Sequence, residues 1–289
     1  IAMLAAGGDE VLAADADPWT TTPLHRLRLS PGGGLSDTGQ TLLLGYYPTN
    51  VVLAPDGRTG VVTDSNGSLR SFQVSSMTVV DTLTSLGASG GAFSPNGYRF
   101  YGRTGSSVTA WGYDPRSGRL GSQLYSISTG GPSGGNGSDQ LDVAPDGSKL
   151  YLTTGSTVKV YNAANGNLLT SFSNASHTYV SVDLPSPPMP APAAVPPIWG
   201  VSADDNNSAV LVFDATTDRV VGTVPLPILS TVTTPEVAIT PDQKLAFVSE
   251  IEAQQIWVVD LETMSLAGGT NPIVTGIRGN DLEVTPNGR

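Results

Sequence analysis

The chain contains no cysteine, which excludes disulfides, thiolate nucleophiles and cysteine-based zinc sites. Lysine is nearly absent, with only Lys149, Lys159 and Lys244, and the two histidines are His25 and His177. Charged residues fill 13% of the 289 positions, about half the usual share. The balance is acidic, with a formal net charge of −11. Such a surface repels a nucleic-acid duplex and an anionic membrane on average, and no basic stripe with interleaved aromatics offsets it. No apolar run approaches the roughly 20 residues that span a bilayer, and no helical period of useful length occurs. The opening "IAMLAAGGDEVLAAD" lacks a basic segment, so it is not an intact signal peptide. It reads as a strand pair around Gly7-Gly8, and the chain is expected to begin inside the fold, already trimmed. An acidic, cysteine-free chain rich in Ser, Thr and Gly is expected in an extracellular or periplasmic setting. Four glycosylation sequons, at Asn66, Asn136, Asn174 and Asn206, are no more than so much Ser and Thr yields by chance.

What is present is turns and a core. Glycine (34) and proline (22) are abundant without collagen periodicity, and 39% of residues are hydrophobic. One phrase recurs: "VVLAPDGRTGVVT", "GAFSPNGYRFYG", "LDVAPDGSKLYL", "VAITPDQKLAFVS" and "LEVTPNGR". Its prolines are Pro55, Pro95, Pro145, Pro241 and Pro286, spaced by 40, 50, 96 and 45 residues. Pro185 in "YVSVDLP" divides the 96 into 40 and 56, and Ala6 aligns with Pro55 at 49 residues before it. The mean step, about 47 residues, is that of propeller blades.

Within each step a first hairpin closes at the marker position, on Pro-Asp-Gly at Pro55 and Pro145 and on variants of it elsewhere. A third strand follows, as in "TVKVYNAANGNLL" and "QQIWVVDLETMSL", and a fourth, as in "VVGTVPLP". Partial alternation, β-branched residues and Asn-Gly or Ser-Gly turns mark antiparallel strands. A lone four-stranded blade cannot bury both faces, whereas stacked blades cover each other. The expected fold is therefore all-β: a β-propeller with six complete repeats and the start of a seventh. A seven-bladed parent is favoured over a six-bladed closed ring. Blades are placed near 1–49, 50–89, 90–138, 139–177, 178–235 and 236–280, with a partial seventh at 281–289, in one domain over 1–289. Residues 184–197, "LPSPPMPAPAAVPP", read as a loop inserted between the first two strands of blade five, since proline is excluded from central strands.

"SAVLVFDATTDRVVGTVPLP" followed by "PEVAITPDQKLAFVSE" resembles the YVTN repeat, and "WGYDPRSGRLGSQ" is similar to lactonase-type propellers. The resemblance covers essentially the whole chain. It implies the fold and, since the repeats are scaffold, no particular activity.

In a propeller the first strand of each blade lines a central channel, and the residues before it form one mouth. Those residues are Asn50, Asp139, Gln140, His177, Tyr179, Glu236, Asn280 and Asp281, with Arg278 beside them and only Gly90 and Gly91 in blade three. Asn50, Asp139, Glu236 and Asp281 form an oxygen-donor set suited to Ca²⁺ or another divalent cation; by position alone the set resembles gluconolactonase-like propellers, and that resemblance implies a central metal held by acidic and amide side chains. The bland alternative is a ring of solvated loop residues around water. His177 could serve as general base, with Glu236 and Arg278 completing a catalytic group. His25 falls in a third strand, away from the mouth. No Gly-x-Ser-x-Gly elbow or paired-histidine motif occurs. "SADDNNS" at 202–208 lacks calcium-loop spacing and reads as a polar turn. The glycine-rich run 128–139 leads into no helix and offers no phosphate site.

Two functions compete. One is an exported, monomeric binding scaffold holding a small molecule, glycan or protein at the channel mouth. The other is a lactonase-like enzyme that opens or closes a lactone at a metal-assisted central site. A docking subunit of a periplasmic dehydrogenase is a third possibility that no residue supports.

Overall fold

The computed structural model describes residues 2–6, 10–14, 23–30, 34–104, 106–129, 140–173, 179–185, 197–204, 206–227, 235–250, 252–269, 271–276 and 282–284. No helix occurs among them. Blade one comprises β1 (Ala2–Ala6), β2 (Glu10–Ala14), β3 (Leu24–Leu29) and β4 (Leu35–Leu42). Blade two comprises β5 (Pro48–Leu53), β6 (Thr59–Asp64), β7 (Leu69–Gln73) and β8 (Thr78–Leu83). Blade three comprises β9 (Ala88–Phe93), β10 (Arg99–Thr104), β11 (Ser107–Asp114) and β12 (Arg119–Ser128). Blade four comprises β13 (Leu141–Val143), β14 (Lys149–Thr153), β15 (Thr157–Asn162) and β16 (Leu168–Ser173). Blade five comprises β17 (Tyr179–Asp183), β18 (Trp199–Asp204), β19 (Ala209–Asp214) and β20 (Arg219–Pro225). Blade six comprises β21 (Val237–Ile239), β22 (Leu245–Glu250), β23 (Gln255–Asp260), β24 (Ser265–Leu266) and β25 (Ile273–Val274). Every sheet is an antiparallel meander in chain order. Two compact units divide the chain, Ile1–Gly131 with blades one to three and Pro132–Val284 with blades four to six.

The repeated turn is a backbone device. In blade two Gly57 N–H donates to the Ala54 carbonyl at 2.8 Å, and Asp56 Oδ1 accepts Arg58 N–H at 3.0 Å. The glycine stands at φ 66°, as Gly147 stands at 72° in blade four, a region that costs a side-chain-bearing residue energy. Blade six places Gln243 there at φ 60°. Its side-chain carbonyl accepts Trp199 N–H of blade five at 2.9 Å, a contact glycine cannot make.

Blades bury each other's faces within each unit. Leu12, Leu24 and Leu42 of blade one pack with Val51, Val62 and Phe72 of blade two, and Val61 and Leu69 pack with Phe93, Phe100 and Trp111 of blade three. In the second unit Tyr151 and Val160 meet Leu211 and Phe213, while Val201 and Val212 meet Val237, Val248 and Val259. Second and third strands are thus covered on both faces, so β6 is buried at all six positions and alternation fails. Fourth strands form the outer edge, and β4 is exposed at seven of its eight positions.

Blade six departs from the pattern. Its outer edge comes in two pieces, β24 and β25, both paired with β23. Asn271 fills the gap: Val258 N–H donates to its Oδ1 at 3.1 Å and its Nδ2 donates to the Val258 carbonyl at 2.7 Å. The amide thereby imitates a residue of a paired strand. Residues 282–284, where the first strand of a seventh blade was expected, lie outside any strand. The other positions of that expected strand lie outside the described residues.

Candidate functional site

Antiparallel pairing returns the second strand of each blade to the end where the first begins. Pro48 thus pairs with Asp64 in blade two, and Tyr179 with Asp204 in blade five. Buried polar groups collect at this end of each unit. Asn50, Gln140 and Glu236 each stand five residues before a turn proline, and their exposures are 5%, 1% and 5%. This corrects the picture of solvated loop residues. Asn50 also does not precede its strand: β5 already begins at Pro48, with a register shift before Asn50. Thr49 Oγ1 lies 2.9 Å from Thr63 Oγ1, holding the extension. Glu236 immediately precedes β21; its N–H donates to Ser249 Oγ at 3.0 Å and its carbonyl accepts Ser249 N–H at 2.9 Å.

The acids that close second strands at this end each bind groups of their own blade. Asp64 closes β6, with its carboxylate buried, and accepts Asn66 N–H, Ser68 N–H and Arg70 Nε at 3.0–3.1 Å. Asp204 closes β18 and accepts Asn207 Nδ2 at 2.9 Å, while Glu250 closes β22 and accepts Trp257 Nε1 at 3.3 Å. The "SADDNNS" segment ends β18 on a fully buried acid, Asp204, and its residues 206–208 form the expected polar turn into β19. Away from this end, two first-strand acids, one in the middle of β13 and one closing β17, join consecutive blades. Asp142 Oδ2 accepts Leu184 N–H and Asp183 Oδ2 accepts Ile239 N–H, both at 2.7 Å. A hydrogen bond to a charged group contributes about 1.5–3 kcal/mol, and one that bridges blades opposes their separation.

The opposite end of blades four and five carries a clasp. Lys149 Nζ donates to both Asp218 oxygens at 2.8 and 2.7 Å and to the Ala215 carbonyl at 2.9 Å. Tyr151 Oη donates to Asp218 Oδ1 at 2.6 Å and lies 3.0 Å from the same carbonyl. Burial raises the Tyr151 pKa, and the adjoining Asp218 raises it further. Burial likewise pushes the Tyr113 phenol up to about 12, against the Thr59 hydroxyl and with the Asp56 and Asp114 charges. Both phenols are neutral at physiological pH, so neither supplies a ready base or nucleophile.

Asp139, His177, Arg278 and Asp281 lie outside the described residues. Asn50 belongs to the first unit and Glu236 to the second. His25 sits on β3 with Nδ1 3.3 Å from Asp37 Oδ2, and both side chains are exposed. Among the described residues no cluster of three His, Asp or Glu side chains is placed to hold a metal ion.

The sequence reading missed the acids that end second strands, although "VVTD", "VSAD" and "FVSE" repeat them at one blade position. It also missed Arg103, a charge inside the apolar strand "RFYGRT" that is only 3% exposed.

No family model and no curated protein matches the chain. Among solved structures, the hydrazine synthase of Kuenenia stuttgartiensis superposes with a TM-score of 0.72 over 99% of this chain and 89% of that one, at 12% identity. The fold is a β-propeller. It is one that 1622 solved chains match, so it carries no activity with it.

Proposed function

We propose that the protein is a non-catalytic interaction scaffold, an exported propeller of YVTN-like repeats that holds its ligand at the end where the first strands begin. One observation carries this reading: the acids that close second strands at that end serve as hydrogen-bond acceptors within the scaffold. Asp64, Asp204 and Glu250 each receive an N–H from the protein itself. A general base must instead keep a lone pair for substrate. The ligand class is a small molecule, a glycan or a protein segment. Ca²⁺ belongs to the same proposal, since a flexible oxygen shell of carboxylates and amides suits that ion.

Calorimetric titration of the chelator-treated protein with Ca²⁺, followed by a panel of lactones, sugars and carboxylates, tests the reading. Saturable heat with the ligand recovered intact supports a scaffold. Consumption of a lactone during the titration, abolished in Glu236→Gln, would replace it with the lactonase reading. No heat and no rise in melting temperature at millimolar Ca²⁺ removes the metal.

A further inference from the structure

Blade three breaks the polar pattern of the mouth. Where blades two, four and six place Asn50, Gln140 and Glu236, five residues before the turn proline, blade three has Gly90. Across the ladder from Gly90 lies Arg103 of β10, whose other neighbour is Val108 of β11. No side chain stands on the first strand at this position, and on the third strand there is only an aliphatic one. Arg103 is 3% exposed, and its Nη1 is buried without a hydrogen-bond partner. Among the described residues no carboxylate pairs with it. Burial alone lowers its pKa, with no acid offsetting the effect, although guanidinium remains charged in proteins.

A buried unpaired cation costs several kcal/mol. A structural arginine would be expected to gain a carboxylate, in the way Arg70 gains Asp64 at 3.0 Å in the neighbouring blade. The chain does have acids to spare, 25 against 14 basic residues. We propose that Arg103 is the anchor of a ligand site in blade three that takes the carboxylate of a small monoanionic ligand, lying over Gly90. The guanidinium fork matches a carboxylate edge with two parallel hydrogen bonds. One cation neutralises one charge: a phosphate dianion would leave a net negative charge buried, in a protein whose overall charge is already −11. The inference rests on the scaffold reading, whose ligand class it narrows to carboxylates.

The test compares wild type, Arg103→Met and Arg103→Lys in sodium acetate, sodium phosphate and sodium chloride at matched ionic strength, by thermal melting and calorimetry. Matching matters because salt alone screens a chain of this charge. Wild type should show a saturable acetate-specific rise in melting temperature, with affinity in the millimolar range expected of so small a probe. Arg103→Met should melt higher than wild type in chloride, since it replaces an unpaired buried charge with an apolar chain, and should ignore acetate. Arg103→Lys, which keeps the charge but not the fork, should bind acetate about 10-fold more weakly. The proposal is overturned by a wild-type response to acetate no larger than to chloride or phosphate, by an acetate response that Arg103→Met retains, or by a fall in the melting temperature of Arg103→Met in chloride. Binding of a non-carboxylate ligand that Arg103→Met leaves unchanged would remove this inference and leave the scaffold reading standing.

Discussion

Removing the Asp218 carboxylate should loosen blade four from blade five. Asp218→Ala deletes two hydrogen bonds from Lys149 and one from Tyr151, and leaves Lys149 with the Ala215 carbonyl. The Lys149 and Asp218 side chains are 18% and 15% exposed, which places the pair between two limits. Exposed pairs are worth about 0–1 kcal/mol, whereas breaking a buried pair costs about 3–5. Tyr151 is fully buried, so its hydroxyl loses a charged acceptor and retains only the Ala215 carbonyl. A loss of about 2–4 kcal/mol follows. Tyr151→Phe removes the hydroxyl and leaves the ion pair, so about 1 kcal/mol is expected. Urea denaturation at pH 7, followed by tryptophan fluorescence, measures both. A cycle with Lys149→Met should show coupling, because each partner is penalised chiefly by the other's charge. An Asp218→Ala variant within about 0.5 kcal/mol of wild type, or a cycle without coupling, refutes the clasp.

Three further outcomes follow from local geometry. Gly147→Ala forces a side chain to φ 72° and should cost about 1 kcal/mol in the urea midpoint; no change would mean the turn tolerates an L-residue. Gly200→Ala would put a methyl 2.1 Å from Phe213 Cζ, a ring with no exposed surface, and should cost about 1–3 kcal/mol, whereas at Gly222 the nearest atom is Met264 Sδ at 3.9 Å and alanine should be tolerated; equal effects would contradict the packing. Asp260 is held below the ordinary carboxylate range by the Thr263 N–H, Asp114 by the Ser117 hydroxyl, and Asp214, despite partial burial, by Thr216 and Thr217. Depressed values stabilise above the unfolded carboxylate pKa near about 4 and lose that contribution as pH falls through the folded values, so the urea midpoint should decline below about pH 4, and less steeply in the Asp114→Asn/Asp214→Asn/Asp260→Asn variant.

The turn chemistry made the fold legible. A Pro-Asp-Gly or Pro-Asn-Gly turn needs only neighbours in sequence, and its recurrence at Pro55, Pro95 and Pro145 marks the hairpins directly. The mouth was legible as a set of positions and not as an environment. Asn50, Gln140 and Glu236 are polar in sequence and buried in the fold. The inter-blade contacts leave no local trace: Asp142 reaches Leu184, 42 residues on, Asp183 reaches Ile239, 56 on, and Lys149 reaches Asp218, 69 on. Arg103 escaped notice for a related reason. A single charge in a strand reads as a solvent-facing residue until burial on both faces of the blade is known.

Turnover is the most direct test of a scaffold. Proton NMR of γ- and δ-lactones incubated with the protein, with and without Ca²⁺, measures ring opening in one experiment. A scaffold leaves rates equal to the protein-free control at every substrate concentration. Saturable ring opening that scales with protein and disappears in Glu236→Gln would contradict it.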